Sequence, residues 1–233
     1  MSMPPSIASI INVVQPYKTK APGKRPSYVK TLAGGLEIEI KIPIYNPEKD
    51  ILAVMNNLLP HDLCGAEHRS ETHYVYALEN GAHLSRITIK NSDEVWLKKK
   101  TKNTPITTSR HKLPAVCRVG EKLNVGNPRY DRMYKITTTQ PLKVQFEKEC
   151  LNFFYTYEDC VFSLSFSLAW SNTSFLKQEM EVEYEGHVTG KPAPSHLEVE
   201  ELLETMFMHL IPGFLHSRVH AETKYESLQQ SKK

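Results

Sequence analysis

Two segments near opposite ends of the chain alternate glutamate with apolar residues, and this pattern constrains the fold more than any other feature. Residues 36–42 place Glu37, Glu39 and Lys41 on one face and four aliphatic side chains on the other. Residues 179–185 place four glutamates on one face. Because successive side chains of a strand point to opposite sides, both segments are predicted to be β-strands with one acidic and one apolar face.

Such acidic faces need a physical reason, because glutamate is a poor strand former. Same-face neighbours lie about 6.6–6.8 Å apart along a strand, and adjacent strands lie about 4.8 Å apart. Carboxylates this close raise one another's pKa, and a divalent cation relieves the repulsion. Oxygen ligands of this kind suit Mg²⁺ or Mn²⁺. One such strand alone is more often a solvated surface, but two strands favour a metal site, provided that the first and last strands pair.

The rest of the chain is predicted to be mainly β. One helix begins at the N-cap Asn46 and ends before Pro60, and a second begins with the capping box of Ser195 and Glu198. The alternating segments between and around them predict a closed antiparallel barrel with helices packed on the outside. The further predicted strands are residues 72–78, 83–90, 94–100, 114–119, 132–138, 142–147, 151–157, 161–169 and 177–185.

Basic side chains follow the same alternation. Segment 83–90 places Arg86 on the face of Thr88 and Lys90, segment 94–100 pairs Lys98 with Lys100, and segment 132–138 contains Lys135. A surface position is the simpler interpretation of any one of them. As a set opposite a carboxylate wall, they predict an interior that binds a polyphosphate with its metal ion.

Length and composition limit the possible domain organisation. A chain of 233 residues with a net charge of +3 fits one domain, which we predict at 31–222, between a flexible basic segment at 1–30 and a polar tail at 223–233. No apolar run is long enough for a membrane span, and no secretory signal pattern is present. Four cysteines without metal-binding spacing predict free thiols in a reducing, intracellular setting.

Other phosphatase chemistries fit the sequence poorly. It contains neither a GxxxxGK[ST] loop nor a GxSxG turn. Four residues separate Cys64 from Arg69, whereas a cysteine phosphatase loop needs five.

The segment Glu37-Ile38-Glu39-Ile40-Lys41 matches the ExExK signature of the triphosphate tunnel metalloenzymes. Residues 179–183 are similar to their final acidic strand, and Arg86 and the lysines after Leu97 resemble their phosphate-binding strands. The resemblance covers roughly residues 36–187. Within the superfamily the chain most resembles the small protozoan RNA triphosphatases of mRNA capping, a group shared with fungi and some large viruses.

This resemblance implies an eight-stranded antiparallel tunnel that hydrolyses the γ-phosphate of triphosphate-ended RNA with Mg²⁺ or Mn²⁺. It implies the first step of mRNA capping, a nuclear location and the RNA guanylyltransferase of the capping apparatus as a partner. The implied metal ligands are Glu37, Glu39, Glu181 and Glu183, with Arg86 and Lys98 completing the catalytic set and Glu179 on the same acidic strand. The implied phosphate-binding residues are Lys41, Arg86, Lys98, Lys100 and Lys135.

Two other classes of function stay open at this point. One is an enzyme of the same fold that acts on tripolyphosphate, on thiamine triphosphate or, like a class IV adenylate cyclase, on a nucleotide. The other is a non-enzymatic module whose charged strands bind a polyanion such as RNA.

Overall fold

The computed structural model describes residues 27–29, 36–58, 63–101, 104–171 and 175–220. The predicted tail 223–233, and the predicted N-terminal segment apart from 27–29, lie outside these ranges. The strands are β1 Tyr28–Val29, β2 Leu36–Pro43, β3 Leu63–Ala77, β4 His83–Ile89, β5 Val95–Lys100, β6 Thr104–Thr107, β7 Pro114–Leu123, β8 Leu142–Tyr157, β9 Cys160–Trp170 and β10 Phe175–Val188. The α-helices are α1 Pro47–Met55, α2 Tyr130–Thr139, α3 His196–Leu210 and α4 Gly213–His216, and Glu79–Gly81 forms a 3-10 turn.

Eight strands close into an antiparallel barrel in the order β10, β2, β7, β5, β4, β3, β8 and β9, and β9 pairs with β10. The predicted closed barrel is therefore confirmed. Strands β1 and β6 add short pairings to β10 and β7. The first acidic strand pairs with the last one, as expected, so that Glu39 lies opposite Glu183 and Lys41 opposite Glu181.

Apolar residues on the outer face of β2 determine which way its glutamates point. Ile38, Ile40 and Ile42 are buried in one cluster with residues of α1 and α3. Because the helices cover this outer face, the alternating Glu37, Glu39 and Lys41 face the barrel interior. The two predicted helix starts are confirmed. The Asn46 side chain accepts a hydrogen bond from the Lys49 amide, and Ser195 and Glu198 form the capping box.

Helix α2 corrects one prediction. Segment 132–138 was expected to be a strand, but Tyr130–Thr139 is helical. Tyr130, Met133 and Ile136 pack together against Leu84 and Leu97 on the outside of β4 and β5. Their spacing of three residues places them on one helix face.

Three other differences change the barrel wall. Strand β3 begins at Leu63, nine residues before its predicted start, and β8 is one strand of 16 residues where two were expected. The short strand β6 was not predicted. The longer β3 and β8 carry charged residues into the interior that the sequence analysis had not assigned to it.

All four cysteines are free, as predicted. Within the described ranges, no helix has both the length and the apolar character that a membrane crossing needs.

Candidate functional site

The barrel encloses a cavity of about 480 Å³, within the usual range for small-molecule sites. Charged side chains from six strands line it. The carboxylates are Glu39, Glu67, Glu71, Glu181, Glu183 and Glu185, and the cations are Lys41, Arg69, Lys98, Lys100, Arg118, Lys122 and Lys148.

The acidic wall is formed by β2 and β10 around a buried lysine. The Lys41 Nζ atom lies 3.1 Å from Glu39 Oε1 and 2.9 Å from Glu181 Oε1. Burial alone would lower the pKa of Lys41, but the carboxylates of Glu181 and Glu39 outweigh it and raise the pKa. Burial likewise opposes ionisation of Glu181, yet Lys41 and Lys148 hold its pKa below the usual value. These groups are therefore charged when the cavity holds no ligand.

Arg118 on β7 joins the acidic wall to a basic one. Its Nε atom lies 3.1 Å from Glu37 Oε2, and its Nη2 atom lies 2.5 Å from Glu39 Oε1. Lys98 and Lys100 on β5 also contact Glu37, at 2.9 and 3.4 Å. Three cations thus surround Glu37 and outweigh the effect of burial on its pKa, which lies well below the usual value. Glu37 acts here as the counter-ion of the basic wall.

Gly120, two residues after Arg118, is a steric requirement for this arrangement. A Cβ atom at position 120 would lie 2.2 Å from Glu37 Oε1 and 2.4 Å from its Cδ. Such distances are far inside van der Waals contact, so only glycine leaves room for the carboxylate among its cations.

Two predicted phosphate-binding residues lie elsewhere. Arg86 points to the outside of β4, with its guanidinium 4.4 Å from the centre of the Tyr74 ring, whereas Ser85 and Ile87 line the cavity. The predicted inward face of this strand was wrong, because α2 covers the outer face and buries Leu84 there. Lys135 is exposed on α2, so its predicted place in the barrel was also wrong.

The other predicted residues come together. Glu39, Lys41, Lys98, Lys100, Glu181 and Glu183 line the cavity, and Glu37 is buried beside them. Glu179 is fully buried on the same face of β10, 3.4 Å from Lys177.

A second charged group lies on β3 and β8 and was not predicted from the sequence. Arg69 contacts Glu67 and Glu71 at 3.5 and 3.6 Å, and His73 Nε2 lies 2.7 Å from Glu71 Oε2. Lys148, paired with Glu71 in the sheet, also faces the cavity. A period-two run of charged residues from position 67 to 73 was the available signal.

No known protein family and no curated protein matches the sequence. Several solved structures, in contrast, are similar to this chain in fold. A putative adenylyl cyclase from Hippeastrum, described as having a dominant triphosphatase activity, aligns with a TM-score of 0.52 at 13% identity, over 84% of this chain and 96% of that one. A conserved hypothetical protein from Pyrococcus furiosus aligns at 0.51 and 11% identity, over 80% and 96%. A putative adenylate cyclase from Vibrio parahaemolyticus aligns at 0.50 and 12% identity, over 84% and 99%.

The likeness is one of fold. At these identities it shows that the chain shares the fold of these solved proteins.

The acidic wall has the donor chemistry for a hard divalent cation. In the described part of the chain, no group of three or more His, Cys, Asp or Glu side chains is arranged to hold a metal ion. Nevertheless, Glu39 and Glu183 lie directly opposite each other in the sheet, and the Lys41 ammonium already bridges Glu39 and Glu181. Carboxylate oxygens are the ligand type that Mg²⁺ and Mn²⁺ prefer. Glu39, Glu181 and Glu183 are therefore the residues that would hold the ion.

The charge of Lys100, and with it the charge of the basic wall, depends on pH. Burial, and then the charge of Arg118, lower the pKa of Lys100 to about 7. Above pH 7 this amine is mostly neutral in the ligand-free protein, and a bound polyanion favours its charged form. We therefore expect tripolyphosphate, without metal, to bind more weakly as the pH rises through 7, with proton uptake at pH 8. Calorimetry in two buffers of different ionisation enthalpy measures that uptake.

Variants on the same strand provide the control for this prediction. Lys100→Met should remove most of the proton uptake. Lys99→Met should leave it unchanged, because Lys99 alternates with Lys98 and Lys100 and does not line the cavity. Equal uptake by the Lys100→Met variant and the unmodified protein would contradict the assignment.

Proposed function

We propose that this protein is a divalent-metal-dependent triphosphatase that removes the γ-phosphate from triphosphate-ended RNA. The observation that carries the proposal is the barrel cavity, in which paired carboxylates of β2 and β10 face cations from β5 and β7. A polyphosphate with its metal ion is complementary to such an arrangement, since the anion pairs with the basic wall and the ion with the acidic wall.

Residues on different walls of the cavity have different roles in the proposed reaction. Glu39, Glu181 and Glu183 would hold the divalent ion, which would supply Lewis-acid chemistry beside the triphosphate. The guanidinium of Arg118 presents a planar fork that matches two phosphate oxygens. Lys98 and Lys100 neutralise the charge that builds on the phosphoryl group and the leaving diphosphate. Burial strengthens each of these contacts by excluding bulk water.

The choice of RNA as substrate rests on a resemblance. Residues 37–41 and 179–183 resemble the triphosphate tunnel metalloenzymes, and within that group the chain most resembles the capping RNA triphosphatases. A nuclear role beside an RNA guanylyltransferase follows from the same resemblance. Tripolyphosphate, thiamine triphosphate and cyclisation of ATP are the competing reactions for the same cavity. A module that binds RNA without hydrolysis is the competing non-enzymatic role.

Release of phosphate from γ-labelled triphosphate RNA, with Mn²⁺ and after chelation, tests the proposal. We expect metal-dependent release that chelation abolishes. Glu39→Gln should reduce kcat by about 100-fold or more, because the amide keeps the shape of the side chain but loses the charge that binds the ion. Glu94→Gln, at an exposed position before β5, is the matched control and should keep the full rate.

Parallel assays distinguish the proposed function from the competing ones. Tripolyphosphate and thiamine triphosphate are tested for phosphate release, and ATP for both phosphate and cyclic AMP. Faster turnover of one of these than of RNA would replace the RNA assignment. RNA binding that survives chelation, with no hydrolysis of any substrate, would identify a polyanion-binding module instead.

A further inference from the structure

A second groove lies outside the barrel, between the turn that joins β8 to β9 and the N-terminal half of α3. Its volume is about 570 Å³, and none of its lining residues lines the barrel cavity. Cys160 and Leu202 contribute apolar side chains, and the Pro-Ala-Pro segment 192–194 forms one side. The basic lining residue is Arg110, and the acidic ones are Glu158, Asp159, Glu198 and Glu201.

Two of these four carboxylates already have partners. Asp159 Oδ2 lies 3.0 Å from Lys191 Nζ, and Glu198 belongs to the capping box of α3. Glu158 and Glu201 are exposed, and within the part of the chain that the structure describes neither forms an ion pair. The groove therefore offers two carboxylates to a basic ligand.

The floor of the groove also favours a cationic hydrogen-bond donor. Burial, and then the charges of Asp159, Glu158 and Glu198, raise the pKa of the Cys160 thiol to about 11. Burial, and next the proximity of Cys160, raise the pKa of Tyr184, whose buried hydroxyl makes no hydrogen bond among the described residues. A donor with a positive charge would balance the converging carboxylates and could supply the partner that a buried hydroxyl needs.

The N-terminal segment leaves the described structure beside this groove. The Thr189 amide donates to the Ser27 carbonyl at 3.0 Å, and the hydroxyls of the two residues lie 3.1 Å apart. Thr189 is three residues before Pro192 in the groove wall, and the Val188 amide donates to the Asp159 carbonyl at 2.8 Å. Ser27 and the β8–β9 turn thus lie on opposite sides of β10, about 10 Å apart at the usual spacing of strands.

We infer that the groove binds the basic N-terminal segment of this chain, with Glu158 and Glu201 pairing with its cations. Residues 1–26 lie outside the described ranges, and they contain no Asp or Glu but four cations, Lys18, Lys20, Lys24 and Arg25. Three residues of extended chain, about 11 Å, connect Ser27 to Lys24 and span the distance to the β8–β9 turn. A tether this short holds the cations at the groove at an effective concentration in the millimolar range.

The test measures, by fluorescence anisotropy, how a labelled synthetic peptide with the sequence of residues 15–26 binds to the full-length chain. It compares the unmodified protein with a neutralised chain that carries Lys18→Gln, Lys20→Gln, Lys24→Gln and Arg25→Gln. The peptide should bind the neutralised chain about 10-fold or more tightly than the unmodified protein, because the tethered segment no longer competes for the groove. At 1 M salt, where the Debye length is about 3 Å, both affinities should fall.

Substitutions in the groove identify where the peptide binds. Glu158→Gln with Glu201→Gln, added to the neutralised chain, should weaken peptide binding about 10-fold, as expected for the loss of two ion pairs. Glu48→Gln with Glu94→Gln, at exposed positions outside the groove, is the matched control and should leave the affinity unchanged.

Equal peptide affinity for the neutralised and the unmodified chains would overturn the inference and leave the groove open to a basic peptide of another protein. Absence of peptide binding to the neutralised chain, or binding that Glu158→Gln with Glu201→Gln does not weaken, would also overturn it. No substrate is turned over in these measurements, so their outcome is independent of the proposed triphosphatase function.

Discussion

Arg118→Ala should both destabilise the protein and abolish triphosphate hydrolysis. Arg118 is buried and contacts Glu37 and Glu39 on the acidic wall. Its removal leaves two buried carboxylates with fewer counter-charges, which costs about 3–5 kcal/mol in the free energy of unfolding. Loss of the guanidinium fork should lower kcat by about 100-fold or more. Denaturant unfolding and phosphate release measure the two effects.

Arg86→Ala is the matched control for this variant. Arg86 lies outside the barrel against Tyr74, so its removal should change the unfolding free energy by about 1 kcal/mol or less and leave kcat unaltered. Arg118→Lys should recover part of the stability but little of the rate, because an ammonium cannot grip two oxygens. A larger loss of turnover in Arg86→Ala than in Arg118→Ala would reverse our assignment of the inner face.

Gly120→Ala should reduce both stability and turnover, through the side chain that faces it. The new Cβ atom would lie 2.2 Å from Glu37 Oε1, so the carboxylate must shift from its position among its three cations. Overpacking of this kind costs about 1–3 kcal/mol. Because Lys98, Lys100 and Arg118 then lose their common counter-ion, we expect turnover to fall by about 10-fold or more as the phosphate contacts shift.

A second substitution tests whether displacement of Glu37 causes the losses expected for Gly120→Ala. The double variant Gly120→Ala, Glu37→Asp withdraws the carboxylate by one methylene and should recover stability relative to Gly120→Ala alone. Gly213→Ala is the control, since nothing lies within 4 Å of a Cβ atom built there. Additive effects of the two substitutions in the double variant would show that Gly120 and Glu37 do not interact.

The acidic wall was predictable because its strands are patterned on both faces. In β2 the isoleucines alternate strictly with charged residues, so the buried outer face fixes the inner one. The same holds for β10, where Met180 and Val182 alternate with glutamates. Closure of the barrel was inferred from the number of strands and from the removal of exposed sheet edges, and the structure confirms it.

Strand β4 shows why the basic wall was less predictable. Its outer face carries Leu84 and Arg86 while its inner face carries Ser85 and Ile87, so neither face is uniformly polar. The side that α2 covers depends on tertiary packing, which alternation alone does not specify. Helix α2 itself contains Ile136 and three consecutive threonines, which favour a strand locally, yet packing of its apolar face on β4 and β5 prevails.

Arg118 and Arg69 were missed for different reasons. Strand β7 was predicted, but the continuation of its inner face through Val116, Arg118 and Gly120 was not followed. Around Arg69 both faces of β3 are polar, since Ser70 and Thr72 alternate with Glu71 and His73, and no apolar stripe marks a strand there. Such a segment becomes a strand because β4 and β8 pair with it on either side.

The pairing of β2 with β10 also determines when the site comes into existence during synthesis. Lys41 and Glu181 are 140 residues apart in sequence, so the contact that closes the barrel forms only after nearly all other strands have been made. Until then a growing chain carries Lys98, Lys100, Arg118 and Lys148 without the carboxylates of β10, and two unpaired sheet edges remain open. The nascent protein is thus a basic sheet with exposed edges as it emerges from the ribosome. Docking of the last strand converts it into a closed and nearly charge-balanced pocket.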